Sequence, residues 1–254
     1  MSTLSVIIIA LNQEANIDEC LASVGFADEI VVVDTGSTDH TVKLARTYTD
    51  RVITAPWQGF AGTKNFALDQ ARGDWVFSLD TDERVSAALK EEILALVRAD
   101  GPLDGYQVPR KNYFGDRWIR HLGWYPDHTL RLWRRGQGRY RDREVHEEVV
   151  VAGPVGILRN SLDHYSYNNL EEYAARQDRY ARLAAREMFK QGRRPRPGEL
   201  WWRPFVTFLK LYFLKQGFLE GSLGLALAGQ GSRYNYLKYH YLRQIILGKD
   251  LNAH

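Results

Sequence analysis

The sequence is short of cysteine. Cys20 stands alone among 254 residues, so an internal disulfide is excluded, and zinc-finger spacings are absent as well. A reducing cytoplasm suits such a chain. Long apolar runs are missing too: no stretch has the length and freedom from charge that a membrane span requires. With a mean hydropathy of −0.40, a polytopic membrane protein is excluded. The early run "SVIIIAL" has no basic residues ahead of it and no small-residue cleavage site behind it, so it reads as a buried strand rather than a signal peptide. Surplus charge is also scarce. The net charge is +3 and the pI about 8.9, a balance that suits diphosphates, phosphorylated glycolipids or an anionic membrane surface. It is too weak to indicate nucleic acid. Internal repeats and low-complexity tails are absent.

What is present can build a core. The chain is 44% hydrophobic and 26% charged, enough for one sizeable core and a small appendage. "LSVIIIAL" and "EIVVVDTGS" are continuous β-branched runs of the kind buried on both faces of a sheet. "RVITAP" and "GDWVFSLD" read as two further strands. Between them lie helical patterns: "EANIDECLASV", "TDHTVKLARTY" with Ser37, Thr38 or Asp39 as its cap, "GTKNFALDQA", and the amphipathic "SAALKEEILALVRA". Strand and helix alternate with short connections through about residue 100, the pattern of βαβ units and a parallel sheet. Ligands bind such sheets beyond the carboxyl ends of the strands, where Asn12, Asp34 and Asp80 all fall. Shorter strands follow, in "GYQVPRKNYFGDRWI", "HTLRLWRRG" and "EVHEEVVVAG", as a mixed or antiparallel extension. From "NLEEY" onward the pattern is helical, with a Pro-rich basic break at "RRPRPGE". A catalytic domain over 1–165 and a helical extension over 166–254 are expected.

"FSLDTDERV" carries the chemistry. Asp80 and Asp82 stand two apart, so on a strand they point the same way. At a strand end they can share a hard cation, Mg2+ or Mn2+, whose remaining positions water and substrate phosphate fill. By itself the pair reads equally well as a turn that starts a helix.

Together, "SVIIIALNQEANIDECLAS", "EIVVVDTGSTDHTVKLA", "GTKNFALDQARGDWVFSLDTDE" and "VHEEV" resemble glycosyltransferase family 2, the inverting nucleotide-sugar transferases. The resemblance implies the GT-A fold: a Rossmann-like α/β architecture with a mostly parallel sheet flanked by helices. "GWYPDHTLRLWRR", "VHEEV" and the aromatic C-terminal helices narrow it to the lipopolysaccharide-core β-1,4-glucosyltransferases of the WaaE type. The resemblance further implies that Asn12, Glu14, Asp34, Lys64, Asn65 and Asp80 bind the nucleotide-sugar, a UDP-sugar, and that Asp82 ligates the cation with Asp80 beside it. Ala10 stands where the family commonly has proline. Each residue also has a plainer reading: Asn12 as a helix cap, Asp34 as a turn former before Gly36, Lys64 as a solvated helix residue.

An inverting transfer needs a general base opposite the leaving group. The candidates are Asp127, Glu144, His146, Glu147 and Glu148. Strict alternation over "REVHEEV" puts Glu147 on one face with Val145 and Val149, where burial would raise its pKa and suit it to a base. Glu147 is therefore expected as the base, with Asp127 as the alternative. His146 is expected as an additional metal ligand, as in some GT-A enzymes, with an ordinary strand-end imidazole as the plainer reading.

The stretch from Arg110 to Arg143 interleaves arginines with aromatics, which suits a phosphorylated saccharide, a single-stranded nucleic acid, or simply a solvated surface over core aromatics. Trp201 to Ala228 is apolar but carries Arg203, Lys210, Lys215 and Glu220, which argues against a span. Paired tryptophans with basic residues point instead to a helix lying in the membrane interface, with packing against the catalytic core as the competing reading. The expectation is thus a metal-dependent transferase that uses UDP-glucose and a lipid-linked acceptor at the cytoplasmic face of the inner membrane. The alternatives are a nucleotidyltransferase, although "IIIALNQEAN" lacks the glycine-rich loop of that class, and a non-catalytic nucleotide-sugar-binding module.

Overall fold

A computed structural model describes residues 1–141 and 148–249. Glu144, His146 and Glu147 lie outside the described residues. In the first part of the chain, strands β1 (Leu4–Ala10), β2 (Glu29–Asp34), β3 (Val52–Thr54) and β4 (Trp75–Ser78) alternate with helices α1 (Ile17–Ala22), α2 (Thr41–Ala45) and α3 (Gly59–Gln70). They are followed by β5 (Glu83–Val85) and α4 (Ala87–Arg98). Ser86 caps α4 by accepting from the Leu89 amide at 3.3 Å. In α2, Asp39 ties the first turn by accepting from the Thr41 amide at 3.0 Å.

β1 shows why these strands lie inside. Val6 and Ile8 enter one core cluster with Ile30, Val32, Trp75 and Phe77. Ile7 enters the cluster on the other face, with Val31, Val33 and Val76. Alternation at period two therefore sends a continuous β-branched run to two cores at once. Each such side chain contributes about 1.5–3 kcal/mol on full burial. Cys20 is buried in the first of these clusters, and burial pushes its thiol pKa up.

The sheet continues through β6 (Gly105–Phe114), β7 (Arg117–Trp118), β8 (Asp127–Arg134), β11 (Val155–Ile157) and β12 (Leu162–Tyr167). Its main path runs β3-β2-β1-β4-β8-β6-β12-β5. β1 to β4 are mutually parallel, whereas β8 joins β4 and β6 antiparallel. β9 (Gly138–Arg141) and β10 (Glu148–Val151) form a separate two-stranded ribbon. The fold is α/β with a parallel central part, as the alternating pattern predicts, and an antiparallel extension.

The chain forms two compact units: Met1–Lys111 with Pro126–Tyr165, and Asn112–Tyr125 with the residues from Ser166 onward. The second unit holds α5 (Leu170–Lys190), α6 (Glu199–Leu209) and α7 (Gly221–Ile246). Asn169 caps α5 by accepting from the Glu172 amide at 2.8 Å. Trp201 to Ala228 is not one helix: α6 gives way to a π-turn at Lys210–Leu214 and a 3-10 turn at Gly217–Glu220 before α7 begins. Within this unit Glu220 is buried and accepts from the Arg120 and His121 amides, with Arg117 and the His121 ring beside it. Burial alone would raise its pKa; these donors outweigh burial and hold it below the usual carboxylate range.

Candidate functional site

The strand order reverses at β1, which has β2 on one side and β4 on the other. The loops leaving these three strands therefore meet over one sheet edge. The first two are laced together. The Asn12 amide donates to Ser37 Oγ at 2.8 Å, and Asn12 Oδ1 accepts from the Thr38 amide at 2.8 Å. The Glu14 carboxylate accepts from the His40 amide at 3.1 Å and lies 2.9 Å from its Nδ1. These bonds to His40 hold the pKa of Glu14 down. Asn12 sits at φ 52, a left-handed conformation that asparagine tolerates. It does not cap α1, whose N-cap is Asn16. Asn12 and Glu14 thus shape the loops through the bonds they make to 37–40. The third loop joins through Thr81 Oγ1, which donates to Gln13 Oε1 at 3.0 Å.

Asp34 ends β2 and is 2% exposed. Its Oδ2 accepts from the Gly36 and Ser37 amides, both at 3.0 Å, which is the turn-forming role. Its Oδ1 is buried without a hydrogen-bond partner. A buried carboxylate oxygen left unpaired is costly, and a ligand N–H or O–H at this point would remove that cost.

Asp80 and Asp82 have different protein partners. β4 ends at Ser78, so the two aspartates lie on the turn before β5 and strand alternation does not apply to them. Asp80 Oδ1 lies 2.8 Å from Lys64 Nζ, and Asp80 Oδ2 accepts from Arg131 Nη2 at 2.5 Å. Lys64, on α3, is buried rather than solvated. Arg131 also donates to Glu83, which Arg110 approaches at 3.3 Å before pairing with Asp127 at 2.6 Å. Lys64, Asp80, Arg131, Glu83, Arg110 and Asp127 therefore form a chain of alternating charge. Burial would raise the pKa of Asp80, but Arg131 and Lys64 hold it well below the usual carboxylate range. Burial likewise opposes charge on Arg131, and Asp80 and Glu83 more than offset it. Arg131 Nε is buried without a hydrogen-bond partner.

Asp82 pairs with a histidine. Its Oδ2 is 3.4 Å from His164 Nε2. Antiparallel pairing of β12 with β5, with His164 opposite Glu83, sets this contact. Sequence reasoning missed His164 and Arg131. His164 is 82 positions from its partner and carries no local signature; Arg131 was visible as a lone charge in the apolar run "LRLW". Among the described residues, no group of three or more His, Cys, Asp or Glu converges as a metal cage. The carboxylate fits Mg2+ or Mn2+, which keep several positions for water and diphosphate, and the imidazole beside it suits the softer Mn2+ better than Mg2+.

Two expected site residues are otherwise engaged. Asn65 exchanges two hydrogen bonds with the Tyr140 backbone, at 2.9 and 3.0 Å, and so fastens α3 to β9. Asp127 Oδ2 accepts from both Nε and Nη2 of Arg110, at 3.0 and 2.6 Å. A cavity of about 540 Å3 opens beside the charge chain, with Lys64, Asp80, Arg110, His128, Arg131 and Tyr140 in its wall. Tyr140 donates to Ser78 Oγ at 2.6 Å and lies under Lys64 Nζ.

The sequence profile of glycosyl transferase family 2 matches residues 5–165. A lipopolysaccharide core biosynthesis glycosyltransferase, LpsC of Rhizobium meliloti (strain 1021), is 37% identical over 92% of this chain and 89% of its own. An uncharacterized glycosyltransferase of Rickettsia typhi is 29% identical over 97% of this chain and 89% of its own. Among solved structures, the mannosyltransferase PcManGT of Pyrobaculum calidifontis, in complex with GDP-Man and Mn2+, superposes with a TM-score of 0.53 at 16% identity. That likeness covers all of this chain and 88% of the other, and it is one of fold.

Proposed function

The chain belongs to glycosyltransferase family 2, and from that premise we propose that it moves a sugar, glucose from UDP-glucose, onto a lipid-linked saccharide of the lipopolysaccharide core at the cytoplasmic face of the inner membrane. The similarity to LpsC along nearly the whole chain supports the acceptor class. One observation carries the donor site: the unpartnered, buried Oδ1 of Asp34 at the meeting of the β1, β2 and β4 loops. It is an acceptor waiting for a donor such as a base N–H or a ribose hydroxyl.

Asp82 and His164 are the residues that would hold Mg2+ or Mn2+; the resemblance to GT-A enzymes motivates the metal and the 3.4 Å approach supplies its donor pair. When bound, the cation stabilises the charge on the departing diphosphate. His146, expected in that role, lies outside the described residues. Asp80, held by Lys64 and Arg131, is the residue that would fix the wall against which the donor sugar lies. The acceptor hydroxyl forms the new bond to the anomeric carbon as the bond from that carbon to the diphosphate oxygen breaks. The hydroxyl proton passes to a carboxylate on the far side, which we assign to Glu147. The transition state carries oxocarbenium character.

The test is a thermal-shift series with UDP, GDP and their sugars, with and without Mn2+. A ligand that binds the folded state raises Tm by mass action. UDP with Mn2+ should raise it more than GDP does. No shift with any nucleotide overturns the donor reading, and binding without UDP release to any acceptor points to a non-catalytic module.

A further inference from the structure

α6 is rich in apolar side chains, and only some of them are covered. Leu200 and Phe208 pack into the cores of the helical unit. Trp201, Trp202, Phe205, Val206 and Leu209 are exposed, Trp201 by 71% and Phe205 by 63%. At 100° per residue these five positions fall within one stripe. The exposed stretch does not stop where α6 ends. Phe213 and Leu214 of the π-turn and Phe218 and Leu219 of the 3-10 turn continue it, with Leu214 at 80% exposure. Scattered exposed apolar residues are ordinary; a run of this kind marks an interaction surface.

The charges select the occupant. Between 191 and 225 the basic residues are Arg193, Arg194, Arg196, Arg203, Lys210 and Lys215, and the acidic ones are Glu199 and Glu220. Both glutamates are buried, and each is paired inside the unit, Glu199 with Arg193 and Arg203, Glu220 with Arg117 and His121. Arg194, Arg196, Lys210 and Lys215 are exposed. The outward surface of this segment therefore carries tryptophans, large apolar side chains and positive charge, with no exposed carboxylate. That combination fits the interface of an anionic bilayer, where aromatics sit at headgroup depth and each nearby cation adds attraction. Among the described residues no helix is long and apolar enough to cross a membrane.

We infer that α6 and the two turns after it form a monotopic docking surface for an anionic lipid leaflet, lying in the headgroup region without crossing it. This deepens the proposed membrane-side function and rests on it only for its biological setting; the lipid contact is a property of this segment alone.

The test is co-sedimentation of the full chain with vesicles of phosphatidylethanolamine and phosphatidylglycerol, against vesicles of phosphatidylcholine. Binding is expected to the anionic vesicles, to weaken with added salt, and to fall at least about tenfold in a Lys210→Glu/Lys215→Glu variant. Phe205→Glu/Leu214→Glu should abolish it. Both pairs are exposed, so circular dichroism and Tm should match the parent. Equal, salt-insensitive binding to both vesicle types overturns the anionic-lipid assignment. No vesicle binding overturns it as well, and so does a dimer in solution that Phe205→Glu/Leu214→Glu dissociates, since a second copy would then cover the face. UDP affinity is measured on the same samples. Lost vesicle binding with UDP affinity intact removes this inference alone; vesicle binding without UDP affinity removes the donor reading alone.

Discussion

Arg131 stands between Asp80 and Glu83. Its Nη2 is 2.5 Å from a carboxylate oxygen of each, and Arg131 and Glu83 are both buried. The cation that reconciles the crowded carboxylates of "FSLDTDERV" is supplied by the chain itself, from β8, 51 residues downstream of Asp80.

Removing that cation should therefore cost fold stability as well as activity. Arg131→Met leaves the buried Glu83 with Arg110 and the Asp80 amide, and Asp80 with Lys64. Breaking a buried pair costs about 3–5 kcal/mol, and the partial exposure of Asp80 puts the expected loss near the lower end, about 3 kcal/mol. Urea unfolding monitored by fluorescence measures it. Wild-type stability in Arg131→Met would show that the chain of charges is not a structural unit.

Asp80 should leave a signature at acid pH. Its pKa in the folded protein lies well below 3.8. A carboxylate depressed on folding adds stability that is complete above its unfolded pKa and is lost as the pH falls through the folded one. The stability difference between wild type and Asp80→Asn should be constant above about pH 5 and shrink steadily below about pH 4. A difference that stays flat down to pH 2 contradicts the ion-paired assignment.

Asp34 allows a cleaner test of the donor site. Asp34→Asn keeps a side-chain oxygen for the Gly36 and Ser37 amides, so the turn should persist. The variant loses the anionic acceptor now buried without a partner. UDP affinity should fall by about 1.5–3 kcal/mol, roughly tenfold to a hundredfold, by calorimetry. Unchanged affinity would leave Asp34 with only its role in the turn.

Metal dependence should follow Asp82 and His164. Asp82→Ala and His164→Ala should each remove the increment in UDP affinity that Mn2+ supplies while leaving metal-free binding unchanged. Calorimetric titrations with and without Mn2+ read this directly. A full Mn2+ effect in both variants would send the cation elsewhere.

The base can be separated from the ion-paired carboxylate by kinetics. Glu147→Gln should lower kcat by about a hundredfold to ten-thousandfold with donor affinity intact. Asp127→Asn, whose carboxylate lies against Arg110, should retain more turnover. Near-normal turnover in Glu147→Gln with a collapse in Asp127→Asn would reverse the assignment.

The sheet was legible in the sequence because its causes are local. A β-branched run such as "SVIIIAL" can satisfy both faces only inside a parallel sheet, and the short connections leave few topologies open. Asn12 and Asp34 could be placed near strand ends by the same means. What each does there was not legible. Asn12 pairs with the Thr38 amide, Asn65 with the Tyr140 backbone, and Asp82 faces His164. The 82 positions between Asp82 and His164 carry no periodic signal that would connect them.

Hydrophobic periodicity and motif spacing sufficed for the family, the parallel core and the row of polar residues at its strand ends, since they record each of these along the chain. Tertiary structure alone decided how the carboxylates were divided. Asp80 went to Lys64 and Arg131 and Asp82 to His164, because partners from α3, β8 and β12 arrive from distant parts of the chain. Which oxygen is neutralised and which is left for a ligand depends on distances of a few ångströms, and sequence order does not encode those distances.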